Sequence, residues 1–457
     1  MRSHRLSLLL AGALIAASAS TAIALPPGWE APLRLSASGV AAYQPWSAAN
    51  ASGDVVVAWR ARRAGGEVVQ VRIRRAGSSL WGGPVTFGPP VTSVQGVRVA
   101  IDDAGRVLVG WRTKVEGAQP QARAALIPRS GGRAIRVFRL GAARDASGAV
   151  NVAIVSGDQA AVVWTAPEPR SVNNPARRLG RARISLLRGA AGFGPARLLD
   201  RSTRPGEGFC ADDQGPNVAA GLGGTILAWW DCADDIRDYR IEFARVSRSG
   251  VLGPAEDTGT LSRGPTVASL VDADAGTTLG ILQESNDTDF GNQLRRITRT
   301  PAGAWSQSQI PVAGVSPDDF NQPYIVGVPR LAREPGGTTL AAWTGASGEV
   351  SASVGPSGAD PLGAAVQIGA GARFTRLAGV GVTTSGSRLA AWSARTAPGG
   401  QVRTIWSVLR LATDLAFPAP VDSLQVPILV GEPSLALGLG GRRGVSFTPG
   451  PGGTPPP

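Results

Sequence analysis

One interval recurs along this chain and limits what it can fold into: a small alanine is followed, eleven residues later, by a tryptophan or its substitute. The pairs 48 and 59, 100 and 111, 153 and 164, 332 and 343, and 436 and 447 all keep this spacing, ending on Trp59, Trp111, Trp164, Trp343 and Phe447. In the other copies the second run ends on Trp229, Ile281 and Trp392. Apart from Ala48, each alanine follows an aliphatic residue, as in Val99-Ala100, Val152-Ala153, Val218-Ala219, Val267-Ala268, Leu331-Ala332, Leu377-Ala378 and Leu435-Ala436. Short apolar runs separated by turn residues such as Asn50-Ala51-Ser52-Gly53 and Asp102-Asp103-Ala104-Gly105 read as β-hairpins. Small Ala suits strands that converge on an axis, and Trp at the end of the second strand suits burial between neighbouring sheets.

A second signature follows several hairpins: Gly77 to Trp81, Gly192-Phe193-Gly194-Pro195, Gly250 to Pro254, and Gly303-Ala304-Trp305. It marks a turn into two further strands. Each copy is then about four strands in about 50 residues, the size of a propeller blade. The expected fold is all-β: a single closed β-propeller of eight blades, with seven as the alternative count. Segment 32–36 should add an outer strand to the last blade, joining the chain's two ends. The propeller is assigned to residues 25–448 and a Pro/Gly-rich disordered tail to 449–457.

Residues 1–24 have the layout of a secretory signal: Arg2 and Arg5, an apolar run over 6–17, then Ala22-Ile23-Ala24 as a cleavage site. No segment is long and apolar enough to span a bilayer, so the product is expected to be secreted and monomeric. Losing the two signal arginines leaves 44 basic residues against 33 acidic ones, a net charge of +11. The arginines are scattered through the repeats rather than gathered in a run, so nucleic acid is not the expected partner. The only histidine, His4, lies in the signal, which excludes histidine-based triads and histidine-ligated metals from the mature chain. Cys210 and Cys232, the only cysteines, are expected to form a disulfide in an oxidising compartment, with two separate thiols as the alternative.

Two intervals between successive alanines, 153 to 219 and 268 to 332, are long, and the added residues fall in connections that share one face. That face gathers acidic and aromatic residues: Trp230, Asp231, Asp234, Asp235, Asp238, Tyr239, Asp287, Asp289, Asp318, Asp319 and Tyr324. These are the candidate ligand-binding residues, for an extracellular carbohydrate, peptide or protein, bound without catalysis. No catalytic residue and no cofactor is assigned. Calcium is the one metal the carboxylates would suit, with Asp272, Asp274, Asp287 and Asp289 in alternation. The alternatives are a glycoside hydrolase using paired carboxylates, with Tyr239 beside Arg240 and Glu242 as its best tyrosine, and a structural surface or matrix protein.

The full pattern of aliphatic-Ala, Asp or Asn with Gly, an aliphatic run to Trp, and Gly-x-x-Trp resembles the repeats of secreted bacterial sialidase-like β-propeller proteins. The resemblance spans nearly the whole mature chain and implies the fold. The sialidase Asp-box, Ser-x-Asp-x-Gly-x-Thr-Trp, is absent: Asp102-Asp103-Ala104-Gly105 stands five residues before Trp111.

Overall fold

The structure is a computed structural model. It describes residues 33–446 except 39, 115–119, 131–134, 142–149, 156–158, 168–179, 200–208, 211–215, 234–238, 263–266, 275–276, 286–291, 310–328, 334–338, 346–348, 356–364, 370–375, 383–387, 396–401, 411–421, 428–433 and 438–442. The described residues form eight consecutive antiparallel sheets, and the only helical turns among them are two 3-10 segments. Six sheets are four-stranded meanders in which each strand pairs with the next in sequence. The fourth has a fifth strand, Phe209–Cys210, and the eighth consists of Ser434–Leu437 and Arg443–Ser446.

The first strands, from Ala42–Ala49 and Ser93–Ile101 onward, lie beside one another from sheet to sheet. Between sheets four and five the contact passes instead from Ile226–Ala233 to Val267–Asp274. Ser434–Leu437 of the last sheet lies beside Ala42–Ala49 of the first. Sheets stacked through their faces, with their first strands together, are arranged as blades of a β-propeller. Residues 33–36, expected to supply an outer strand to the last blade, form no strand; Leu35 packs instead against Val57, Trp59 and Val68 of the first sheet.

Pairing registers explain the eleven-residue interval. Ala48 lies opposite Val56, Ala100 opposite Leu108 and Ala153 opposite Ala161, and each tryptophan stands three residues beyond that partner. In an extended strand, residues three apart face opposite sides. The alanine pair therefore packs on the following sheet while the tryptophan packs on the preceding one. Trp111 joins Val56, Val69 and Phe87 of sheet one, and Trp164 joins Ala122, Ala124 and Leu140 of sheet two.

Two copies correct the sequence reading. In the fourth, Ala219 lies opposite Leu227, so the position three further on is Trp230, eleven residues from Ala219. Trp229 faces the other way, into sheet five. In the seventh, a bulge after Leu377 shifts the register, and Gly381 rather than Ala378 lies opposite Leu389, three before Trp392. The fifth copy departs from the rule: Ala268 lies opposite Leu282, and its second strand holds no tryptophan.

The second signature is the turn between third and fourth strands. Gly77, Gly192, Gly250 and Gly303 have φ of 79°, 92°, 76° and 89°, a left-handed conformation that glycine adopts without steric cost. After three of them an apolar residue plugs a seam between sheets: Phe193 meets Phe138 edge-on at 5.2 Å, Trp305 meets Phe243 at 5.3 Å, and Leu252 packs in the seam of sheets three and four.

Below the apolar seams, arginines and carboxylates tie neighbouring sheets together. Arg75 donates to Asp54 at 3.1 Å and reaches into sheet two to the carbonyls of Gly105 and Arg129. Arg245 of sheet four grips Asp272 of sheet five through two bonds, at 3.1 and 2.7 Å. Asp272 also accepts the amide of Leu222 and the hydroxyl of Thr225. It thus serves sheet four at a turn where sheets one and two use their own Asn50 and Asp102. Gly221 leaves the space for it, since a Cβ there would collide with the Asp272 carboxylate. Arg299 holds Glu256 of the preceding sheet at 2.6 Å through two nitrogens, and Trp305 donates to the same carboxylate at 3.0 Å.

Burial by itself would raise Asp54 and Glu256. For Asp54, the Ala76 amide and the Arg75 and Arg129 charges outweigh burial and hold the carboxyl below its ordinary value. For Glu256, Arg299 and Trp305 do the same. A carboxylate whose folded pKa is depressed stabilises the fold at neutral pH, and that contribution is lost as pH falls from the unfolded value of about 4 through the folded one. Melting temperature should therefore hold level from pH 7 to about 5 and fall below about 4. Differential scanning calorimetry of the Asp54→Asn and Glu256→Gln variants should show a lower melting point at pH 7 and a shallower acid decline than wild type.

Candidate binding face of the propeller

In a meander the connections leaving the second and fourth strands emerge on one face, the upper face, opposite the hairpin turns. Of the candidate residues named from the sequence, the structure describes Trp230, Asp231 and the backbone of Tyr239. Asp234, Asp235, Asp238, Asp287, Asp289, Asp318, Asp319 and Tyr324 lie outside the described residues. Tyr239 begins the strand Tyr239–Val246 opposite Ala233, and only its backbone is described.

Trp230 is not a rim aromatic. It is 1% exposed and packs with Val163, Ile184 and Ala244 in the seam between sheets three and four. Its Nε1 donates to Glu242 Oε2 at 3.0 Å. Glu242 is buried and also receives Nε of Arg240 at 3.2 Å, so the acid considered as a partner for Tyr239 is committed to holding an indole. The physical reason is strand alternation: of two adjacent tryptophans, one must face each neighbouring sheet. Asp231, the next residue, is 6% exposed and likewise does not stand in solvent.

The position after each seam tryptophan is polar in every copy that has the tryptophan: Arg60, Arg112, Thr165, Asp231, Thr344 and Ser393. This layer caps the apolar seam below the upper loops. Arg60 shows how it works. Its Nη1 donates to the Val94 carbonyl of sheet two at 3.2 Å, while Glu67 accepts the Val94 amide at 2.7 Å. The pair clamps the start of the next first strand. Burial pushes the Arg112 guanidinium below its ordinary value.

Cys210 lies directly opposite Cys232 in the antiparallel pair of Phe209–Cys210 with Ile226–Ala233. The extra strand thus ties the connection entering sheet four to the end of its second strand. Asp272 of the proposed calcium alternation is saturated by Arg245, Thr278, Thr225 and Leu222, which makes it an ion-pair partner rather than a metal ligand. Among the described residues no cluster of three or more His, Cys, Asp or Glu could hold a metal. Nor is any described helix long and apolar enough to cross a membrane.

The structure brings together a group that sequence reasoning missed. Two residues before the marker alanine stand Trp46, Arg98, Asn151 and Asn217, on the first strands of sheets one to four. Arg98 lies over the Trp46 ring, 4.0 Å from its centroid. Its Nε donates to Asn151 Oδ1 at 3.2 Å, and Asn151 Nδ2 donates to the Pro216 carbonyl at 2.8 Å and approaches Asn217 Oδ1 at 3.5 Å. All four side chains are half-buried. A guanidinium held over an indole, with Nη1 donating to the Val97 carbonyl at 3.1 Å and Nε to a carboxamide, is a preorganised positive charge suited to hydroxyl or carboxylate oxygens. The available signal was the recurrence of large polar or aromatic residues at one repeat position, where alanines and valines fill most of the strand.

No family model and no curated sequence matches the chain. Solved structures with a similar fold include the polysaccharide lyase Uly1 (TM-score 0.42, 11% identity, 75% of this chain and 91% of the other). A Penicillium chrysogenum α-L-arabinanase complexed with arabinobiose aligns at TM-score 0.37 and 12% identity, over 73% of this chain and 96% of the other. A Hadza microbial sialidase aligns at 0.38 and 8%, over 82% and 77%. At these levels no substrate or catalytic residue carries over.

The corrected orientation of the two tryptophans is testable by mutation. Trp230→Ala and Trp229→Ala should each lower unfolding free energy by about 3–5 kcal/mol, the cost of emptying a buried aromatic site. A loss near zero for either variant in urea titration would return that residue to the surface.

Proposed function

We propose that the protein is an exported carbohydrate-binding propeller of eight blades, closed by packing Ser434–Leu437 on Ala42–Ala49, which takes its ligand on the upper face around Arg98. The observation that carries this reading is the run of contacts from Trp46 through Arg98 and Asn151 to Asn217, across four successive first strands. Side chains from four blades converge where a propeller's upper mouth would lie, and their chemistry suits sugar hydroxyls and carboxylates. The acidic, aromatic connections of sheets four and five would then form the walls of that mouth. A disulfide between Cys210 and Cys232 would anchor one of them.

Cleavage of a glycosidic bond is the second reading. It would need two carboxylates free to act as acid and nucleophile or base. Asp54, Asp102, Glu242 and Asp272 are each engaged by an arginine, so such a pair would come from the upper loops, with Asp234, Asp235 and Asp238 the nearest in sequence to the tethered strand.

Glycan-array binding by the secreted protein tests the proposal. Wild type should bind acidic glycans, and Arg98→Ala should weaken that binding roughly ten- to a hundredfold, the worth of a charged hydrogen bond. Undiminished binding by Arg98→Ala would move the site elsewhere, and new reducing ends released from the bound glycan would favour the enzyme.

A further inference from the structure

Opposite the seam tryptophans Trp59, Trp111 and Trp230, the third strands place Gln70, Arg123 and Glu242. Opposite these, the fourth strands place Thr86, Arg139 and Asp257. Residues directly opposed in an antiparallel pair share one face and interact. In sheet one the two side chains satisfy each other, Gln70 Nε2 donating to Thr86 Oγ1 at 3.2 Å. In sheet four they are like charges, and the protein supplies the counter-charge: Nε of Arg240 stands 3.2 Å from Glu242 and 3.8 Å from Asp257. Sheet two opposes two guanidinium groups at this position, and neither side chain has an ion pair or hydrogen bond among the described residues.

Like charges directly opposed destabilise a sheet, and burial adds to the cost here. Nε of Arg123 is buried without a hydrogen-bond partner. Burial, together with the Arg139 charge, pushes the Arg123 guanidinium below its ordinary value. By alternation Arg123 shares the side of Ala125 and Ile127, which pack on sheet one. The facing outer strand of sheet one, Val85–Val91, contains no acidic residue. Nη1 of Arg123 lies beside Gly88 of that strand, 4.0 Å from where a Cβ would stand, and Gly88, Pro89 and Pro90 are exposed. Arg139 is exposed as well, so solvent reaches the pair although the stem of Arg123 is held in the seam.

We propose that Arg123 and Arg139 form a binding site for a tetrahedral oxyanion, a sulfate or phosphate group, carried either as the free ion or as a sugar ester. Guanidinium groups suit such an anion because their N–H donors are fixed in a fork that meets its oxygens. The group takes the place that Arg240 holds in sheet four, with every sign reversed. The site lies on the third and fourth strands of sheet two, whereas Arg98 is on the first, and it is independent of the mouth.

Thermal melts in sodium sulfate and in sodium phosphate, each against sodium chloride at matched ionic strength, provide the test. Wild type should gain melting temperature saturably with at least one of the two anions, as linkage requires of a ligand bound by the folded state. Arg123→Gln and Arg139→Gln should each raise the half-saturating concentration at least about tenfold. In chloride Arg139→Gln, relieved of the repulsion, should melt no lower than wild type, and it carries the test if Arg123→Gln does not fold. Arg248→Gln, at an exposed position of sheet four, should respond as wild type does. Glucose 6-sulfate, with D-glucose as the uncharged comparison, separates the sources: a stronger response than to sulfate assigns the group to a sugar ester, an equal or weaker one to the free ion, and both uphold the site. The proposal is overturned if neither anion gives a saturable gain, or if a folded Arg123→Gln or Arg139→Gln responds as wild type. An equal loss in Arg248→Gln would trace the gain to the overall charge of a basic chain and also overturn it.

Discussion

The whole assembly depends on the seam between neighbouring sheets. A four-stranded antiparallel sheet has two faces, and neither can stay dry without a neighbour, so each blade must be apolar on both sides and shaped to fit. The sequence meets this with one asymmetric device: a large indole reaching backward from the second strand, and small residues facing forward just before it. Ala58, Gly110, Val163 and Ala342 occupy that forward position, and at Gly110 even a Cβ would collide with Val152 of the next sheet. Sheet four is the exception that follows from the rule. The second strand of sheet five has no tryptophan to send backward, and Trp229 fills the gap from the other side, alongside Phe243, Leu270 and Ile297.

Charge works beneath that seam rather than on its own. The described acidic residues of the lower face are mostly tied to arginines: Asp54 to Arg75, Asp272 to Arg245, and Glu256 to Arg299, the last two across a seam between sheets. These pairs are partly buried and bidentate in two of the three cases, the geometry in which an arginine–carboxylate bond is strongest. They account for part of the high arginine content without any anionic partner. The carboxylates Asp54, Asp272 and Glu256 of the lower face are thus assigned to holding sheets together.

The architecture was legible because the eleven-residue interval is a direct consequence of hairpin register, and register is local. What local pattern could not decide was which of two adjacent tryptophans faces which sheet. Trp230 and Asp231 were read as rim residues because the sequence counts Trp229 as the marker; only the pairing of Ala219 with Leu227 reverses them. The shifted marker at Gly381 was hidden for the same reason, since a bulge is invisible without the partner strand. The arginine–carboxylate bonds between sheets join residues 27 and 43 positions apart, Arg98 and Asn151 stand 53 apart, and a scattered arginine carries no sign of its partner. The loop carboxylates were found by composition alone, since a run of aspartates in a connection carries no pairing register.

The central claim is that these seams close the array into a ring, with the last hairpin packed on the first strand. Small-angle X-ray scattering of the mature protein tests it most directly. A closed disc of this length should give a radius of gyration of about 22 Å, the value for a compact chain, with a symmetric distance distribution. A radius well above that, with the long tail of an elongated particle, would mean an open array and contradict the account.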